Sequence, residues 1–214
     1  MKNASFVRVE SGKFKGKRLF LPSFATTRST KSRVKACVFN TLRAELAGKV
    51  FVEVFGGSGA MAFEALSNDA LGVVVVEKDK NAYKIACQNA ALLLNSANSL
   101  NSSENSLLKN ESSANSNVNS PLRDENSTNL QKNALNSSPN YEFTSFAAQK
   151  VRLYQGDSFE LLPSILEQMP RQTPIIAYFD PPFHHRKGFL DIYERVFGLI
   201  NSLKGSNLEL FIIE

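Results

Sequence analysis

Four consecutive valines, Val73 to Val76, stand between Gly72 and Glu77. A strand with one wet face alternates apolar and polar residues, and this one offers no polar position until its end. It must be covered on both faces, which a sheet between two layers of helices provides. Similar short β-prone runs recur at Val50–Phe55, Val151–Gln155, Ile175–Phe179 and Leu208–Ile213. Helical patterns between them predict helices over Ala60–Ser67, Lys80–Leu94, Ser158–Gln168 and Gly188–Leu203. Strands alternating with helices predict an α/β fold, a doubly wound and mostly parallel sheet.

Ahead of this pattern lies a segment of different character. Residues 1–50 hold 12 Lys/Arg and 2 acids, whereas the remaining chain holds 13 Lys/Arg and 18 acids. The net charge of +5 therefore conceals a basic module at 1–49 followed by a mildly acidic domain at 50–214. Concentrated positive charge suits a phosphate backbone. Residues 5–21 read as a small hairpin with glycines and lysines at its turn. A helix is expected from near Ser32, with Val34, Val38, Leu42 and Leu46 as its apolar stripe, Phe39 widening it, and Arg33, Lys35 and Arg43 off it. Gly48 is expected to end it.

Residues 95–140 break the pattern again. This stretch holds 13 Asn and 12 Ser and no aromatic residue. Such a segment buries too little apolar surface to offset its ordering entropy, so a disordered insert is expected. No apolar run approaches the ~18 residues of a membrane span. Met1–Ser5 has no apolar core behind it and does not read as a secretory signal. Cys37 and Cys87, the two cysteines, both fall in apolar helical patterns and are expected as small core residues. No disulfide framework follows, and a reducing cytoplasm is expected. His184 and His185 are adjacent loop residues, and no metal site is expected.

Candidate functional residues gather where the strands end. Asp180-Pro181-Pro182-Phe183 follows the fourth strand of the sheet. Asp180 and the Pro181 carbonyl are acceptors for an amine, prolines fix the backbone, and Phe183 offers a stacking face. Asp-Pro also opens ordinary turns. The first strand, ending at Phe55, runs into Gly56-Gly57-Ser58-Gly59 and then a helix, so backbone can approach a ligand closely there. Gly57 to Ala62 also fits the dinucleotide fingerprint, which leaves a nicotinamide oxidoreductase open. Glu77 ends the second strand and suits the two hydroxyls of a ribose. Asp157, followed by Ser158, suits the amine of an adenine, and equally a helix cap.

This order resembles a class I S-adenosylmethionine-dependent methyltransferase, and Ala177 to Phe183 is similar to the signature of enzymes that methylate exocyclic base amines. More narrowly, the chain resembles the bacterial RsmD family, which methylates guanine N2 in 16S ribosomal RNA. Gly12 to Leu19 resembles that family's N-terminal hairpin, Thr26 to Lys35 with Phe39-Asn40 its helix entry, and Phe55 to Ala60 with Phe63 to Ser67 its glycine loop and following helix. The resemblance implies S-adenosylmethionine held by Glu53, Phe55, Gly57, Ser58, Gly59, Glu77, Asp157 and Ser158. Catalysis would rest on Asp180, Pro181, Pro182 and Phe183, and RNA contact on Lys13, Lys15, Lys17, Arg18, Arg28 and Arg33. The implied partner is 16S rRNA or the assembling small ribosomal subunit, and a cytoplasmic monomer is expected.

Departures from the family pattern are specific. Glu53 stands where Asp is usual, and Gly56 where Ala is usual. The chain stops at Glu214, directly after the fifth strand, with the last strands of the usual seven missing. A truncated product, or one completed by another chain, is expected. Adenine-N6 methylation uses closely similar residues and stays open, as does a glutamine amide. An oxidoreductase would leave Asp180 to Phe183 without a role, and a non-catalytic RNA-binding protein would need none of the cofactor acids.

Overall fold

The computed structural model describes residues 5–22, 28–108, 150–181 and 190–214. Two short strands, β1 (Phe6–Arg8) and β2 (Arg18–Phe20), form an antiparallel hairpin. Helix α1 (Arg28–Leu42) follows. Then come β3 (Val50–Val54), α2 (Ala60–Ser67), β4 (Gly72–Glu77), α3 (Lys80–Leu108), β5 (Val151–Gln155), α4 (Ser158–Glu167), β6 (Ile175–Phe179), α5 (Leu190–Ser202) and β7 (Leu208–Ile213). The sheet order is β5-β4-β3-β6-β7, parallel throughout. Chain order reverses between β3 and β6, so a crevice opens beyond their carboxyl ends.

Alternation along the strands explains the two layers. Phe51, Val73, Val75, Ile176 and Tyr178 pack with residues of the hairpin and of α1, α2 and α3. Val52, Val54, Val74, Val76, Ala177 and Phe179 pack on the other face against Leu162, Ile165, Leu166, Val196 and Leu199 of α4 and α5. A run of four valines therefore feeds both cores at once. The hairpin's Val9, Phe14 and Leu19 belong to the first core. The change near residue 49 is thus one of charge, and packing runs across it.

Three expectations are corrected. Lys35, read as lying off the apolar stripe of α1, is buried, whereas Val34 and Val38 are only partly so. The buried face is Lys35, Phe39, Leu42 and, beyond the helix, Leu46, because a carboxylate waits for Lys35 inside. That rotation turns Cys37 to solvent, and Cys87 is half-buried. Helix α3 continues to Leu108 rather than ending at Leu94. No Gly or Pro interrupts residues 95–108, and extending an existing helix avoids the cost of nucleation. The rest of the expected insert, from residue 109, lies outside the described residues up to Gln149. Among the described residues no helix is long and apolar enough to cross a membrane.

Candidate active site

The turn after β3 is built from left-handed backbone. Phe55 has φ 62°, Gly57 53° and Gly59 76°. Glycine adopts this region without strain, whereas Phe55 does so at a cost of about 1–3 kcal/mol that surrounding contacts must offset. One such contact is Phe159, whose ring meets Phe55 edge-on at 5.5 Å between centroids. Gly59 caps α2 with no side chain to offer. Glu53 takes over from the neighbouring strand: its carboxylate accepts from the Ala62 amide at 2.8 Å and the Met61 amide at 3.3 Å. Glu53 is buried, and the positive end of α2 stabilises its charge there. Gly56 lies so close to β4 that a methyl group on it would meet Val75 Cγ1 at 2.3 Å.

Glu77 ties the turn to β4. One oxygen accepts from the Gly57 amide at 2.6 Å and the other from the Asp79 amide at 2.6 Å. Asp157 is the N-cap of α4, accepting from the Phe159 amide at 2.9 Å, while Lys78 donates to its second oxygen at 2.8 Å. The Lys78 hydrogen bond, helped by the Phe159 amide, holds the Asp157 carboxyl below its usual range. Ser158 is buried, and its Oγ has no hydrogen-bond partner among the described residues.

A cavity of about 470 Å³ lies at the switch point. It brings together Glu53, Phe55, Gly57 and Ser58 of the cofactor set with Asp180. Asp180 directly follows Phe179, which pairs with Val54, so β3 and β6 deliver both acids to one crevice. Pro181 is buried. Gly59, Glu77, Asp157 and Ser158 lie outside the cavity lining, with Glu77 joined to it through Gly57. Tyr178 also lines the cavity and donates to the Glu214 carboxylate. Burial, with Glu214 adding to it, pushes its hydroxyl far above the usual range. Pro182 and Phe183 lie outside the described residues. So does the side chain of Arg28, whose backbone opens α1.

The far wall comes from the hairpin, where Phe6, Val7 and Arg8 face the same space. Lys13, Lys15, Lys17 and Arg18 are exposed on the hairpin, and Arg33 on α1. Two positions that shape this site escaped sequence reasoning. Lys35 lines the cavity, donates to the Arg8 carbonyl at 2.6 Å and pairs with Glu64. Asn89, fully buried on α3, accepts from the Phe20 amide and donates to the carbonyls of Phe20 and Ser58. An asparagine inside an otherwise apolar helical stripe was the available signal for it.

The fold is a Rossmann-like doubly wound parallel sheet with a crevice at its topological switch point. The chain belongs to the family described as conserved hypothetical protein 95, whose model matches residues 7–121. It is similar to ribosomal RNA small subunit methyltransferase D of Escherichia coli K12, at 32% identity over 103 residues, or 48% of this chain and 52% of that one. The protein of the same name from Haemophilus influenzae is 33% identical over 106 residues, or 48% and 55%. The chain spans about half the length of the curated relatives it matches. Among solved structures, Escherichia coli yhhF shares the fold at TM-score 0.53 and 21% identity, over 95% of this chain and 75% of that one. A hypothetical protein of Thermus thermophilus does so at 0.54 and 19%, over 97% and 84%.

Proposed function

We propose that this chain transfers a methyl group from S-adenosylmethionine to the exocyclic N2 amine of a guanine in 16S ribosomal RNA. The observation that carries the reading is that Asp180 lines one cavity with Glu53 and the glycine turn. The names of the relatives support an rRNA substrate. The residues present fit the cofactor. Glu53 is an anionic acceptor on the cavity wall for a charged amino group. Gly57 has open space where a side chain would stand. Glu77 brings a carboxylate to the turn where ribose hydroxyls would lie, and Asp157 and Ser158 stand at the next strand end for the adenine.

S-adenosylmethionine supplies an electrophilic methyl on a positively charged sulfur. The protein's part is to present a weak nucleophile, since the amine lone pair is delocalised into the base. Asp180 and the Pro181 carbonyl accept from the two N–H groups, and the sequence motif assigns Pro182 and Phe183 to the same substrate contact. Transfer would place positive charge on N2, which the Asp180 carboxylate would stabilise until the proton passes to solvent. Positioning supplies most of the rate. A paired guanine hides N2, so the base must be flipped out or lie in a loop. The basic module of residues 1–49, with Lys13, Lys15, Lys17, Arg18, Arg28 and Arg33, would hold neighbouring phosphates of rRNA or the assembling small subunit. A cytoplasmic monomer accords with that partner.

Calorimetry with S-adenosylhomocysteine and with NADH tests the class. Binding of the first alone is expected; binding of NADH alone would replace this reading with an oxidoreductase.

A further inference from the structure

The hairpin wall of the cavity carries an arginine that touches both a backbone carbonyl and an aromatic ring. Arg8 lines the cavity from β1, and its Nη1 donates to the Gly16 carbonyl at 3.0 Å across the hairpin. Its guanidinium lies 5.6 Å from the centroid of the Phe6 ring. Arg18, the register partner of Arg8, sits on the same ring at 4.6 Å. Arg8 is exposed, and a guanidinium held at one nitrogen and lying over a ring still has planar N–H donors to offer a ligand. Asp180 belongs to the same cavity but arrives from β6.

We propose that Arg8 is the residue that selects guanine over adenine, donating to O6 and N7 of the target base while Asp180 holds the amine. This rests on the amine-methyltransferase reading above. An acceptor such as Asp180 cannot choose between the bases, since each carries an exocyclic amine. They differ on the edge remote from it. Guanine held by N2 turns its adjacent acceptors O6 and N7 the other way, and a guanidinium matches that pair with two hydrogen bonds. Adenine held by N6 turns C2–H and N3 the other way, and the guanidinium is left without its paired partner. A flipped base exposes both edges at once.

The test compares single-turnover methylation of 16S rRNA fragments carrying guanine, 2-aminopurine (which lacks O6) or 7-deazaguanine at the target position. The intact chain and Arg8→Ala are assayed on each, with S-adenosylhomocysteine binding measured in both as a check on folding. The intact chain is expected to slow about 10-fold or more on 2-aminopurine and on 7-deazaguanine. Arg8→Ala should slow by a similar factor on guanine, treat the three bases alike, and bind S-adenosylhomocysteine normally. An Arg8→Ala chain that keeps the intact chain's preference for guanine overturns the role of Arg8. An intact chain that binds S-adenosylhomocysteine yet methylates none of the RNAs overturns the underlying reading instead.

Discussion

The Lys35 ammonium lies 3.0 Å from the Glu64 carboxylate, and both side chains are withdrawn from solvent. Glu64 also accepts from the amides of Glu10 and Ser11 and from the Ser11 hydroxyl. Hairpin, α1 and α2 therefore meet at one carboxylate. One turn of α2 further on, the hairpin is pinned again: Ser67 accepts from the Lys13 amide through its carbonyl and from the Phe14 amide through Oγ. The three stretches that carry the family resemblance converge here, and these residues fix where the hairpin wall stands relative to Asp180.

Breaking one side of that pair leaves a buried charge unmatched. Lys35→Met is expected to cost about 3–5 kcal/mol in denaturant unfolding. Adding Glu64→Gln should recover part of that loss. A Lys35→Met chain as stable as the parent would show that the hydrogen bonds to Glu64 suffice without the ammonium.

Asn89 gives a second link, from the hairpin to the glycine turn after β3. Asn89→Leu keeps the volume but leaves the Phe20 amide and two carbonyls without their partner, costing about 1–3 kcal/mol. Hydrogen exchange should rise first at the Phe20 amide. Unchanged protection there would remove Asn89 as the link.

Gly56 stands where the family pattern has Ala, and in this chain a methyl group there would meet Val75 Cγ1 at 2.3 Å. Gly56→Ala is expected to destabilise by about 1–3 kcal/mol through overpacking. The same change in a Val75→Ala background should cost less, and equal costs in both backgrounds would contradict the packing account.

How far these features could be read beforehand depended on how local their causes are. The five sheet strands were legible because each is a short β-prone run, and the acids at their ends followed directly. Phe55 left its strand early because the turn needed its φ, which no pattern signals. Lys35 looked like a solvated charge, since its partner Glu64 comes from another helix. Phe6 and Arg8 read as hairpin residues, and only tertiary packing makes them a wall of the cavity. Asp157 was legible as both cap and ligand, and the cap is what its geometry displays.

Asp157 supplies a pH test. Its carboxyl titrates below the usual range because Lys78 donates to it, so its contribution to stability is present above the unfolded-state value and lost as pH falls through the lowered one. Lys78→Met should raise the Asp157 midpoint in a carboxyl-detected NMR titration. An unmoved midpoint would assign the shift to the Phe159 amide instead.

The central claim is that Asp180 holds the amine that is methylated. Single-turnover transfer of labelled methyl to 16S rRNA, followed by nucleoside digestion, measures it in the parent and in Asp180→Ala, both saturated with cofactor. The parent is expected to yield N2-methylguanosine, and Asp180→Ala to lose about 10²-fold or more in rate while binding S-adenosylhomocysteine normally. An Asp180→Ala chain that transfers methyl at the parental rate would contradict the account.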